Sequence, residues 1–238
     1  MRRTYRDLVT DATAPLEPTI AEDLLLLLFD PRVRRFRNAN RLQSPLGAAV
    51  LSQLVIEERI AIENEGTWQG AAARAVGDAP TDPVLLQLWE RVAHKPEQVL
   101  TLLATTGPAL WDTVVARLEE RGDVVRERKR WLGVFPHDVV LDGGSGRRDS
   151  VLEPVRAALV DGVQPTPRTA ALAALLSATS SLPAMRRDIP ASAQVRRRGK
   201  DLEKGDWGGK GVSTAVAEAA VAVAVAAVVS TTVVTGTQ

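Results

Sequence analysis

Between residues 217 and 234 the sequence runs AEAAVAVAVAAVVSTTVV, apolar at every helical phase. A helix with no polar face is stable only where other groups surround it, in a protein core or in a bilayer. Glu218 lies near the start of the run, Ser230-Thr231-Thr232 near its end, and alanine fills much of the rest. The run therefore falls short of the ~20 strongly apolar residues that a spanning helix needs. We read it as a buried core helix, from about Val212 to Val229, which demands a ring of other helices around it.

The rest of the chain supplies candidates for that ring. Pro15 and Pro18 break up the first eighteen residues, which read as a flexible arm, 1–18, ahead of a single domain, 19–238. Thr19 and Glu22 form a capping box that opens an all-round apolar run, Leu24 to Phe29. Ser44-Pro45 reads as N-cap and first helical residue of an amphipathic helix carrying Leu46, Val50, Leu51, Leu54 and Val55. Alternation at Ile60 and Ile62, then Ala72–Val76, predicts a short hairpin, and Asp82-Pro83 starts the next helix. Pro96 and Pro108 read as the starts of two further helices, the second reaching about Glu120. DVVRER and KRWLGVF read as a second hairpin, and PHDVVLDGGSGRRD as a loop. Ser150 and Glu153 make another capping box for a helix to about Val160, followed by helices at 168–178 and 192–203. The fold class is mainly α, a single helical domain with a buried hydrophobic C-terminal helix and short β-hairpins.

A shift of 64 positions lays Leu46, Val50, Leu51, Leu54 and Ile60 on Leu110, Val114, Val115, Leu118 and Val124. Each copy is an amphipathic helix, a charged turn and a strand, as in a winged-helix unit. True repetition and two solutions to one packing problem both account for it.

Composition excludes several chemistries. Without cysteine there is no disulfide scaffold, thiolate metal site or cysteine nucleophile. His94 and His137 lie in different elements, the first beside Lys95-Pro96 at a helix boundary and the second after Phe135-Pro136, and read as surface or capping groups. Gly143-Gly144-Ser145-Gly146 lacks the lysine and spacing of a phosphate-cradling loop. Ser145 also lacks the strand-to-helix elbow that would make it a nucleophile. No catalytic residue, metal site or cofactor is expected, and the chain reads as a non-enzyme. Thirty basic residues against twenty-nine acidic ones argue against a surface that coats nucleic acid. The basic start lacks an apolar segment after it, so no secretory signal is expected and the localisation reads as cytoplasmic.

The most distinctive local feature is PRVRRFRNANR, with arginines at 32, 34, 35, 37 and 41 around Phe36. Guanidinium groups on an exposed loop can clamp phosphate oxygens, and near an anionic bilayer each cation contributes ~1 kcal/mol. Arg34, Arg35, Phe36, Arg37 and Arg41 are the candidate lipid-binding residues. A solvated loop in a chain with 25 arginines and 5 lysines is the alternative. Arg126, Arg128, Lys129 and Arg130 form another basic group, and Arg196–Arg198 a third.

TIAEDLLLLLFD, LGAAVLSQLVIEERIAI, GDAPTDPVLL, RLEERGDV before a hairpin into LGVFP, RTAALAALLSATS and the late alanine-valine helix occur in the order of the Golgi phosphoprotein 3 family. The chain resembles that family from about residue 19 to 229, and its arginine, alanine and valine bias resembles a bacterial member. The resemblance implies a helical domain with a hydrophobic central helix and a projecting hairpin. It also implies a peripheral protein of a cytosolic membrane face, one that binds phosphatidylinositol 4-phosphate and the cytosolic tails of membrane proteins. The family's headgroup pocket, carried over position by position, falls on Arg37, Gly47, Pro108 and Trp111, which keep none of its residues. The expected partner is thus an anionic, phosphoinositide-like membrane lipid, without specificity for one headgroup. A winged-helix-like nucleic-acid-binding protein and an interaction domain with no lipid ligand are the alternatives. The former is disfavoured because the helix at 46–58 carries Glu57 and Glu58 and no arginine.

Overall fold

The structure, a computed structural model, describes residues 16–37, 39, 42–63, 70–131 and 135–205. The core helix expected at 212–229 and most of the N-terminal arm lie outside the described residues. What is described is mainly helical, with strands confined to short antiparallel pairs.

Helix α1, Ile20–Leu28, begins as the sequence predicts: Thr19 Oγ1 accepts the Glu22 N–H at 3.2 Å, and the Glu22 carboxylate accepts the Thr19 N–H at 2.8 Å. Every residue of α1 is buried, including Glu22 and Asp23. It passes into β1, Phe29–Asp30, which pairs with β2, Arg35–Phe36. Helix α2, Gln43–Ile56, is buried from Pro45 to Val55. It starts a residue before the expected Ser44-Pro45 pair, with Leu42 as an N-cap that offers no side-chain bond. Strands β3, Ile60–Glu63, and β4, Ala72–Ala75, form the expected first hairpin. Helix α3, Pro83–His94, is capped by Asp82 as predicted.

Three expectations are corrected. The helices assigned to start at Pro96 and Pro108 do not exist as such. Glu97–Gln98 is strand β5, laid on Ala72 and Ala73, and one helix, α4, runs Val99–Glu120 straight through Pro108. An internal proline costs about 3 kcal/mol. It is tolerated here because Leu102, Leu103, Leu110 and Val114 keep one continuous buried stripe across it while Pro108 itself faces outward. The preceding Gly107 lets α2 approach: a Cβ there would lie 2.1 Å from the Gln43 carbonyl oxygen. Among the described residues α4 alone is long and apolar enough to cross a membrane. Its buried positions recur at helical spacing on one face, as in an amphipathic core helix.

The second correction concerns PHDVVLD, which is not loop, and the hairpin assigned to DVVRER and KRWLGVF, whose first segment and KRW form a single strand. Strand β6, Val124–Trp131, pairs along its whole length with β7, Phe135–Asp142, in a register from Val124↔Asp142 to Trp131↔Phe135. Pro136 fits because a two-stranded ribbon leaves each strand an edge where no N–H is required.

Third, helix α5, Arg147–Arg156, begins three residues before the assigned Ser150–Glu153 box. Ser145 Oγ accepts the Arg147 N–H at 3.2 Å, and Arg147 and Arg148 both reach buried or half-buried carboxylates, so the helix starts where they must sit. A π-helical turn, Ala157–Asp161, extends α5 to Gly162. Helices α6, Pro167–Ala178, and α7, Ala193–Glu203, fall where the sequence places them, separated by the 3-10 turn Leu182–Met185. One hydrophobic cluster joins Ile20 to Leu202.

The 64-residue echo is a geometric one. After α2 the Arg59 N–H reaches the Leu54 carbonyl at 2.8 Å, and after α4 the Asp123 N–H reaches that of Leu118 at 2.9 Å. The residue before each, Glu58 and Gly122, has positive φ, 56° and 71°. Both helices thus end in the same left-handed turn, continue into a hairpin and lead to another helix.

Candidate functional site

The arginine-rich segment is a tight hairpin rather than a loose loop. Phe29 pairs with Phe36 and Asp30 with Arg35. Asp30 closes the turn twice: its Oδ1 accepts the Arg32 N–H at 3.0 Å, and its carbonyl accepts the Arg34 N–H at 2.8 Å, with Arg34 at φ 56°. Short-range bonds of this kind favour turns over helix continuation. Phe29, 1% exposed, roots the hairpin in the core. The tip, Arg32-Val33-Arg34-Arg35, is exposed, and Val33 shows 60% of its surface. The three tip guanidiniums have no ion-pair partner among the described residues.

The candidate residues therefore divide. Arg34 and Arg35 are exposed at the tip. Phe36 lies beneath them, 5.5 Å from the Phe29 ring and edge-on to Trp111 at 5.4 Å. Arg37 turns inward, with its Nη2 2.5 Å from Asp30 Oδ2 and its Nη1 3.8 Å from Asp188 Oδ2. That pairing holds the Asp30 carboxyl below the usual aspartate range: burial acts to raise its pKa, and the Arg37 and backbone N–H bonds outweigh it. Arg41 lies outside the described residues. Asp188 also accepts Arg148 Nη2 at 2.9 Å, and Arg148 Nε donates to the Phe29 carbonyl at 3.2 Å. An Asp30–Arg37–Asp188–Arg148 chain of charges thus braces the base of the hairpin.

The positions at which the resemblance places a headgroup pocket are spent on packing. Arg37 is ion-paired, Gly47 abuts Leu103, Pro108 lies on the outer face of α4, and Trp111 meets Phe36 edge-on. The one cation at this place, Arg37, is already paired, and Trp111 supplies an aromatic contact.

A buried ionic network at the start of α1 escaped sequence reasoning. Glu22, wholly buried, accepts Arg121 Nε at 2.7 Å and lies 3.3 Å from Arg117 Nη2. Arg117 also forks onto Asp82 at 2.8 and 2.7 Å. Burial works to raise the Asp82 pKa, but this fork and the Val84 N–H hold it below the ordinary value. Asp23 pairs with Arg168, 2.5 Å away, and with Arg147. Burial lifts the Asp23 carboxyl above its usual range against the pull of both arginines. Arg147 continues to Asp123, and Ser145 donates to Asp123 at 2.7 Å. The only signal in the sequence was the abnormality of adjacent acids, Glu22-Asp23, inside an otherwise apolar helix.

Arg121 and Arg168 also donate to the carbonyls of Leu16 and Pro18, so the end of the expected arm is tied down. For the winged-helix alternative, α2 is buried around its circumference, and the exposed face of α4 carries Thr101, Thr105, Asp112 and Thr113 rather than cations.

These features define an α-helical domain built from two helix–hairpin units around a buried, doubly acidic first helix. Residues 20–219 match the family model of Golgi phosphoprotein 3 (GPP34), and the chain belongs to that family. No curated protein matches the sequence.

Proposed function

We propose that this protein is a non-enzymatic, peripheral adaptor that holds to the cytosolic face of an anionic membrane through the β1–β2 hairpin. The carrying observation is the tip: an exposed valine set between arginines whose guanidiniums are unpaired among the described residues, on a turn rooted by Phe29. Arg32, Arg34 and Arg35 supply attraction to acidic headgroups, and Val33 enters the interface. Headgroup specificity is not part of the reading, because Trp111, Pro108 and Gly47 cannot donate to a phosphomonoester as arginines would. The tails of membrane proteins are the second expected partner, in keeping with family membership.

Vesicle co-sedimentation tests it. The full chain should pellet with phosphatidylcholine vesicles that contain phosphatidylserine and not with phosphatidylcholine alone. Binding should fade as salt rises, since charges at the tip are screened over ~8 Å at physiological ionic strength. Phosphatidylinositol 4-phosphate should give no advantage at equal vesicle charge. Retention of binding by R32E/R34E/R35E would overturn the assignment to the hairpin.

A further inference from the structure

A second pair of arginines stands beside the hairpin. Arg186 and Arg187 follow the 3-10 turn Leu182–Met185 and are both exposed. Met185 before them and Ile189, two residues after Arg187, are each 0% exposed, and the N–H groups of Asp188 and Ile189 both reach the Met185 carbonyl at 2.8 Å. The turn is therefore anchored on both sides in the core, with the two arginines on its exposed face. No ion pair engages either among the described residues. Asp188, the next residue, is the carboxylate that accepts Arg148 and faces Arg37 at the hairpin's base. It also lines a cleft of about 230 Å³ together with Asp30, Pro31 and Arg32. Asp188 and Arg32 thus line one cleft, which Asp123, Asp142 and Asp149 make largely acidic, and Arg186 and Arg187 adjoin it through Asp188.

We propose that Arg186 and Arg187 form a second membrane contact, so that the protein meets an anionic bilayer at two braced points and in one orientation. This rests on the hairpin reading above and deepens it. Two basic tips fixed to one another by the Asp30–Arg37–Asp188–Arg148 chain engage a surface together, without the entropic loss of ordering a flexible loop. Of the cleft's carboxylates, Asp30, Asp123 and Asp188 are each held by an arginine.

Vesicle titration with the full chain separates this from a general charge effect. With phosphatidylserine-containing vesicles at low salt, R186Q/R187Q should bind about 30-fold more weakly, from about 1 kcal/mol per arginine at the surface. R196Q/R197Q removes equal charge from α7 and should change binding less than about 3-fold. R186K/R187K should restore binding, since a sum of point charges does not need guanidinium. Melting temperatures of all three should match the parent, because the side chains are exposed. Equal losses from the two glutamine pairs would overturn the proposal in favour of net charge alone. Unchanged binding by R186Q/R187Q, with loss in R32E/R34E/R35E, would overturn it and leave the hairpin reading standing. Failure of the parent chain to bind acidic vesicles would overturn both.

Discussion

The Glu22 carboxylate accepts Arg121 Nε at 2.7 Å across 99 positions of sequence, with Glu22 itself shut off from solvent. The pair ties the first turn of α1 to the last turn of α4, and Arg117 joins it to the Asp82 cap of α3. Replacing Glu22 by alanine leaves these cations facing a buried gap and deletes half of the capping box. A loss of about 3–5 kcal/mol is expected, as when one partner of a buried ion pair is removed. Urea unfolding monitored by circular dichroism would show it, and a midpoint within error of the parent's would refute the buried network.

Acid should unfold the protein partly through Asp82. Its folded pKa is depressed, so its contribution is fully present above the unfolded value of about 3.9 and is lost as pH falls through the lower folded value. Asp82→Asn keeps an N-capping oxygen but cannot hold Arg117 as a carboxylate does. Asp82→Asn should be less stable at neutral pH, and the gap between variant and parent should close below about pH 4. A gap that widened on acidification would contradict the assigned direction.

Gly107→Ala should be destabilising by about 1–3 kcal/mol, as overpacking costs generally run. The added Cβ would meet the Gln43 carbonyl at 2.1 Å, and backbone cannot swing away as a side chain can. Thermal melting of the variant at or above the parent temperature would mean that α2 and α4 do not meet so closely.

Val33→Ser should leave folding unchanged, since the side chain is 60% exposed. Vesicle binding should weaken by about 1 kcal/mol, the scale of partly burying one aliphatic side chain. Equal affinity in titrations of both proteins would show that the tip rests on headgroups without entering the interface.

Local chemistry was legible in part and long-range chemistry was not. Thr19 and Asp82 cap helices through bonds to N–H groups two or three residues ahead, so a short window of sequence contains both partners, whereas the caps read at Ser44 and Ser150 gave way to starts at Gln43 and Arg147. The hairpin of Ile60 and Ile62 shows itself by alternation. Pro108 misled because the penalty of a proline is local, whereas the stripe that outweighs it extends from Leu102 to Val114. The β6–β7 register was missed because alternation in VVLD is too brief to separate from loop. At the candidate site, the cluster of arginines was visible. Which of them are free was not: Arg37 is taken by Asp30 at 2.5 Å only because the hairpin folds the two together, and Asp188, far along the chain, lies a further contact away at 3.8 Å.

The matching turns after α2 and α4 have a consequence for how such a domain can vary. One turn spends a glutamate, Glu58, in a conformation that glycine, as at Gly122, adopts without cost. The turns agree atom for atom in their closing bonds, yet the hairpins that follow differ in length, four-residue strands in one and eight-residue strands in the other. Growth is thus confined to the ribbon, where added residues hydrogen-bond to each other and disturb nothing beneath. The scaffold can lengthen an arm by pairs of residues while its helices keep their seats, much as a telescoping strut extends from a fixed socket.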